Sequence, residues 1–173
     1  MLADVVGASL AATLAGVSGA AVAAAVRGFE GVPHRLELVA ERDGVRWMND
    51  SQATIPVAAT AALEAFDGPI VLIAGGKDKG LDYAAFADAI ALRAKSAILI
   101  GETADELERL IAGRVAVERA GSMDDAVRLA AAGAEAGDVV LLSPAAASFD
   151  MFVDYAARGD AFRAAVSELE ADR

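Results

Sequence analysis

The chain contains no cysteine, one histidine and few aromatic residues, and each shortage removes a class of chemistry. Without cysteine there are no disulfides and no thiolate metal sites, which fits a cytoplasmic location. The lone His34 cannot supply a histidine metal centre by itself, and it leaves the usual nucleophile–base triads without a base of their own. Basic residues number 15 against 26 acidic ones, a net charge of −11, and they are scattered, so the basic footprint of a nucleic-acid binder is missing. Gly75-Gly76-Lys77 is followed by Asp78, where a nucleotide-triphosphate loop requires Ser or Thr, and no Gly-x-Gly-x-x-Gly follows a strand. What the chain has in quantity is apolar mass. Of its 173 residues, 56% are hydrophobic, enough for one domain with a sizeable core or one domain plus a fragment.

Residues Leu2–Val26 carry a single charge, Asp4, before Arg27. A secretory signal requires a basic start, and Gly16-Val17-Ser18-Gly19 divides the run, so two packed helices over Ala3–Ala15 and Ala20–Val26 are expected, not a membrane span. Gly31-Val32-Pro33 reads as a linker. Beyond it the pattern changes to strands. Leu36–Val39 alternates, Arg42-Asp43-Gly44 is a hairpin turn, and Val45–Met48 returns. Then follow a helix over Val57–Phe66 with Thr54 as its cap and Pro56 in the first turn, and the strand Ile70–Ala74. A helix capped by Asp82 runs through Leu92, followed by the strand Ala97–Ile100 and a helix over Asp105–Ile111 behind Thr103. The rest reads as the strand Val115–Val117, a helix opened by Ser122, the strand Val139–Leu142, a helix Met151–Ala157 capped by Asp150, and a last helix Asp160–Glu170. Strands alternating with helices imply an α/β class: a Rossmann-like, mainly parallel sheet flanked by helices, with the hairpin as an antiparallel edge.

Three segments share one grammar: Asn49-Asp50-Ser51-Gln52-Ala53-Thr54, Gly75-Gly76-Lys77-Asp78-Lys79-Gly80, and Ser143-Pro144-Ala145-Ala146-Ala147-Ser148-Phe149-Asp150. Each leaves an apolar strand and enters a helix. In open parallel sheets ligands bind at such exits, where free backbone N–H groups and helix N-termini attract anions. Lys77 and Lys79 attract phosphate or carboxylate there, or are solvated turn residues. Asp50 either accepts ribose hydroxyls or caps a local turn. Ser143 and Ser148 either cradle a carboxylate or form a tight turn. Arg35 beside His34 can hold phosphate or stack on a base, while His34 alone is more often structural.

Taken with Gly31–Arg35 and Asp82-Tyr83, these segments resemble, over residues 31–173, the C-terminal amino-acid-binding domain of the Mur ligases of peptidoglycan synthesis. Asn-Asp-Ser-x-Ala-Thr is similar to the signature of the D-glutamate-adding members, and residues 1–30 resemble the last helices of their central ATP-binding domain. The resemblance implies an ATP-dependent amide ligase joining D-glutamate to UDP-N-acetylmuramoyl-L-alanine through an acyl phosphate, with ATP and Mg2+ used by the full-length enzyme and the remaining ligase domains in cis. It implies a cytoplasmic role in cell-wall biogenesis, cell shape and division, with no nucleic-acid or membrane partner. By resemblance Thr54, Gln52, Lys79, Ser148, Phe149 and Tyr155 line the D-glutamate site. Arg35, Asp50 and Asp4 contact nucleotide, and Lys79 is catalytic beside the transferred phosphoryl group. Two positions depart from the pattern: Gln52 stands where lysine is common, and Asp4 where asparagine is usual. With no phosphate loop in the sequence, this segment is expected to be inactive alone. The competing reading is a non-catalytic anion- or nucleotide-binding module of the same fold.

Overall fold

A computed structural model describes residues 2–169, in two compact units that part between Gly31 and Val32. The first holds α1 (Leu2–Leu14) and α2 (Gly19–Arg27). Ser18 caps α2, its hydroxyl accepting the Ala21 N–H at 3.3 Å. Among the described residues no helix is long and apolar enough to cross a membrane.

The second unit contains a six-stranded sheet. Its elements are β1 (Glu37–Arg42), β2 (Val45–Asn49), α3 (Pro56–Glu64), β3 (Ile70–Gly75), α4 (Ala84–Arg93), β4 (Ala94–Ile100), α5 (Ala104–Ile111), β5 (Ala116–Arg119), α6 (Met123–Gly133), β6 (Val139–Leu142) and α7 (Tyr155–Glu168). The strand order is β1-β2-β6-β3-β4-β5, antiparallel only between β1 and β2. Asp43 and Gly44 both adopt positive φ, 50° and 78°, the geometry a two-residue hairpin needs to match strand twist. The mainly parallel sheet with an antiparallel edge hairpin is thus the expected one.

The central strands are buried on both faces, so they read as continuous apolar runs. One face, with Leu72, Leu99 and Leu141, packs against Leu63, Phe86 and Leu107 of α3, α4 and α5. The other, with Ile73, Ile98 and Leu142, packs against Val127 of α6 and Phe162 of α7. Because β6 returns to lie between β2 and β3, the chain leads away in opposite directions on its two sides. That makes a switch point at the carboxyl ends of β6 and β3.

Several boundaries differ from the sequence reading. β4 begins at Ala94, directly after α4, and β5 is displaced to Ala116–Arg119. Thr54 does not cap α3. Ile55 holds that position without a side-chain bond, and Pro56 opens the helix. Tyr83 occupies the cap position of α4, although the Asp82 carboxylate accepts the Ala84 N–H at 2.9 Å. The two helices expected after Asp150 are one, α7, capped by Asp154 at 2.7 Å from the Ala157 N–H. Residues 149–154 form turns instead, and Glu170, the last residue of the expected final helix, lies outside the described residues.

Candidate functional site

The three loops meet at the carboxyl end of the sheet, and their backbones are joined by hydrogen bonds. Lys77 N–H donates to Ala147 O at 2.8 Å and Gly75 N–H to Pro144 O at 2.8 Å, tying the second loop to the third. Ala145 N–H reaches Ala53 O at 2.9 Å, and the Ser143 hydroxyl donates to Asp50 Oδ2 at 2.8 Å, tying the third to the first. Lys79 Nζ donates to Thr54 O at 2.6 Å, joining the second to the first. Two of the glycines permit this closeness. A Cβ on Gly75 (φ 111°) would stand 2.1 Å from Ile100 O, and one on Gly76 (φ 147°) 2.2 Å from Ala147 O.

A fourth strand exit also belongs to the site, although the reading of the sequence did not single it out. Thr103, buried in the cap position of α5, spends its hydroxyl on the Gly76 N–H at 3.1 Å, and its own N–H donates to Gly76 O at 3.0 Å. Glu102 pairs with Lys77 at 2.6 Å, and Glu102 N–H donates to Asp150 Oδ2 at 3.0 Å. The bond to Glu102 raises the Lys77 pKa, so its charge is both kept and locally neutralised. Gly101-Glu102-Thr103 behind the apolar strand follows the same grammar as the other three loops and was the available signal. Asp150 therefore anchors this crossing and caps no helix.

Arg35 is exposed, and the backbone on either side of it is strained. His34 and Leu36 have φ of 61° and 45°, which non-glycine residues adopt only when their surroundings hold them. Two carboxylates do so. Glu37 Oε2 accepts the His34 N–H at 2.8 Å, and Asp50 Oδ1 accepts the Leu36 N–H at 3.1 Å. Asp50 is 5% exposed. Burial pushes its carboxyl up to about 6, against the opposing pull of Ser143, the Leu36 N–H and the Arg35 charge. His34 is also buried, its Nδ1 3.0 Å from Asn49 Nδ2 and its ring edge-on to Tyr155 at 6.1 Å. It is a packing and hydrogen-bonding residue.

The expected ligand residues fall as follows. Thr54 and Gln52 are half-buried on the first loop, and Lys79 is exposed opposite them. Ser148 is buried, its carbonyl accepting the Phe152 N–H at 2.8 Å, while Phe149 is 70% exposed. Tyr155 starts α7, and its carbonyl accepts the Ser51 hydroxyl at 2.7 Å. Asp4 lies in the first turn of α1, in the N-terminal unit. Among the described residues no three His, Asp or Glu side chains are grouped to hold a metal ion.

One residue of the site escaped the sequence reading altogether. Arg158 of α7 is 1% exposed. Its Nε donates to Ser51 Oγ at 3.0 Å, Nη2 to Ser51 O at 2.9 Å, and Nη1 to Ala146 O and Ala147 O at 3.1 Å each. Burial lowers its pKa to about 10, with the Asp150 charge opposing, so it stays cationic at neutral pH. In sequence it falls with Gly159 between the two expected helices Met151–Ala157 and Asp160–Glu170, with no local mark.

Chemically, the arrangement can hold an anion at Lys79, which offers three N–H donors and spends one on Thr54. No histidine is free to shuttle protons at its mouth.

The sequence profile described as Mur ligase, glutamate ligase domain, matches residues 34–146. The UDP-N-acetylmuramoylalanine--D-glutamate ligase of Solibacter usitatus is 49% identical over 167 residues, which are 96% of this chain and 38% of that protein. This chain therefore spans a little over a third of such a relative's length. A pseudomurein peptide ligase type C from Methanothermus fervidus shares the fold, with a TM-score of 0.68 at 16% identity over 95% of this chain and 35% of that one. A MurF ligase from Thermotoga maritima, solved in complex with ADP, gives a TM-score of 0.57 at 20% identity over 84% of this chain and 33% of that one.

Proposed function

The chain belongs to the Mur ligase family, and on that premise we propose that residues 31–173 are the amino-acid-binding domain of a cytoplasmic D-glutamate ligase. Residues 1–30 are then the end of its ATP-binding domain. The reaction is ATP-dependent amide formation between UDP-N-acetylmuramoyl-L-alanine and D-glutamate. The observation that carries this reading is the Lys79–Thr54 bridge, set among interlocked strand-exit loops whose residues match the D-glutamate-adding signature.

Each group has a task that its surroundings suit. Lys79, with two N–H donors remaining, faces a carboxylate or a transferring phosphoryl group, where a fixed cation offsets developing negative charge. Thr54 and Gln52 from the first loop, and Ser148, Phe149 and Tyr155 from the third loop and α7, surround the amino acid. Arg35 is the exposed cation available to the nucleotide, whose phosphates a guanidinium binds in forked pairs. Asp50, nearly enclosed, acts through the loop that presents Arg35. It holds Leu36 in a conformation the residue would not keep alone. The sequence has no phosphate loop, so the triphosphate is assigned to other parts of the full-length enzyme.

Phosphate release by the full-length gene product, supplied with ATP and UDP-N-acetylmuramoyl-L-alanine, tests the reading. Release should depend on D-glutamate and not on L-glutamate, D-alanine or L-lysine. Equal release with any of these, or none with D-glutamate, refutes it. The isolated 173-residue chain should release none.

A further inference from the structure

We infer that Arg158 is the positioning residue of the amino-acid pocket, the clamp that fixes the first and third strand-exit loops against each other. The inference rests on the D-glutamate reading for its substrate and on geometry for the clamp. A guanidinium taken out of water is costly unless every donor finds an acceptor. At Arg158 the acceptors are four oxygens of two loops, Ser51 Oγ and O on one side and the Ala146 and Ala147 carbonyls on the other. No carboxylate is bonded to it, so the cation is not there to complete an ion pair.

An apolar side chain at this position of α7 would serve the core at less cost. The guanidinium contributes something a methionine could not, a rigid planar fork that adds four bonds to the Ala145–Ala53 and Ser143–Asp50 ties between the two segments. Gly76 keeps room for it, since a Cβ there would lie 3.1 Å from Nη1, so the second loop is shaped around the same group. The loops it joins carry Gln52 and Thr54 on one side and Ser148 and Phe149 on the other. The amides flanking Arg35 are held by the Glu37 and Asp50 carboxylates, and Asp50 keeps its own tie to Ser143 without the guanidinium. Loss of the clamp should therefore reach the amino acid more than the nucleotide.

Arg158→Lys in the full-length gene product keeps the charge and removes the fork. Its KM for D-glutamate should rise about tenfold or more while the KM for ATP stays within about twofold. Arg158→Ala should lose about 100-fold in kcat/KM for D-glutamate, and added guanidinium, but not sodium chloride, should restore part of it. Unchanged D-glutamate kinetics in a folded lysine variant overturn the proposal, as do parallel rises in both KM values, which would mean general loosening. The lysine variant decides the matter if the alanine variant fails to fold. Hydrogen exchange separates failure of the clamp from failure of the ligase reading, because it needs no activity. In Arg158→Lys, exchange should quicken together in residues 50–54 and 145–149 and stay unchanged over α4, residues 84–93. Protection unchanged in the first two segments overturns the clamp even if the enzyme proves to be a D-glutamate ligase. A wild-type protein without D-glutamate-dependent turnover, yet with this exchange pattern, refutes the ligase reading alone.

Discussion

Replacing Asp50 by asparagine should stabilise the fold at neutral pH, and by an amount that depends on pH in a calculable way. The Asp50 carboxyl lies at an ordinary 3.8 when the chain is unfolded and at about 6 in the folded protein. Its folded-state pKa is raised, so between these values the folded state binds more protons than the unfolded one. Stability from this group is then complete below about pH 4 and is lost as pH rises through 6. The loss is roughly two pKa units, or about 3 kcal/mol. Asparagine can keep both native bonds, its carbonyl accepting the Leu36 N–H and its amide donating to Ser143 Oγ, without a buried charge. The attraction to Arg35 is already counted in that shift, so, with some loss of hydrogen-bond geometry in the asparagine, we expect a net gain of about 1–3 kcal/mol at pH 7.5, or roughly 3–10 °C in melting temperature. The gain should fade to near zero at pH 4. Urea unfolding of both proteins at pH 4, 5, 6 and 7.5 measures it, and the difference between variants cancels the titration of every other carboxylate. A variant no more stable than the parent at pH 7.5, or a gap that does not change with pH, would refute the reasoning. An accompanying loss of nucleotide affinity is expected, since a site held at a cost in stability is usually held for function.

Three further outcomes follow from the same geometry. Lys79→Ala in the full-length gene product should lower turnover by about 2–4 kcal/mol of transition-state stabilisation, with an almost unchanged melting curve because the side chain is exposed; a melting loss that accounts for the activity counts against the role. Gln52→Lys should tighten D-glutamate binding by about 1 kcal/mol through a charge-assisted bond, and the gain should shrink as salt rises; a KM no lower at low salt sinks the idea. Gly75→Ala should destabilise by about 2–4 kcal/mol, because its Cβ would stand 2.1 Å from the backbone oxygen of Ile100; a denaturation midpoint within error of the parent would show that the β3–β4 crossing yields easily.

The sequence by itself determined the order of the strands along the chain, the hairpin and the three principal loops, though not every strand boundary, because each is written in a local code. Short, β-branched apolar runs bounded by turn residues, such as Ile70–Ala74 behind Gly68-Pro69, read as strands buried on two faces, and Asp43-Gly44 supplies the positive φ angles of its turn. The polar, small-residue loops at strand exits were legible for the same reason. The tertiary structure decided what depends on partners distant in the chain. Asp150 looked like a helix cap, but the Glu102 N–H, 48 residues away, claims its carboxylate, and Asp154 starts α7 instead. Thr103 sits where a cap should, yet its hydroxyl goes to Gly76. Which strand enters between β2 and β3 is likewise non-local, and that choice alone creates the switch point. Arg158 is the extreme case, bonded to a serine 107 residues earlier. No spacing or pattern around it differs from that of a solvent-facing arginine. Its role exists only because folding removes it from water and leaves loop oxygens as its acceptors.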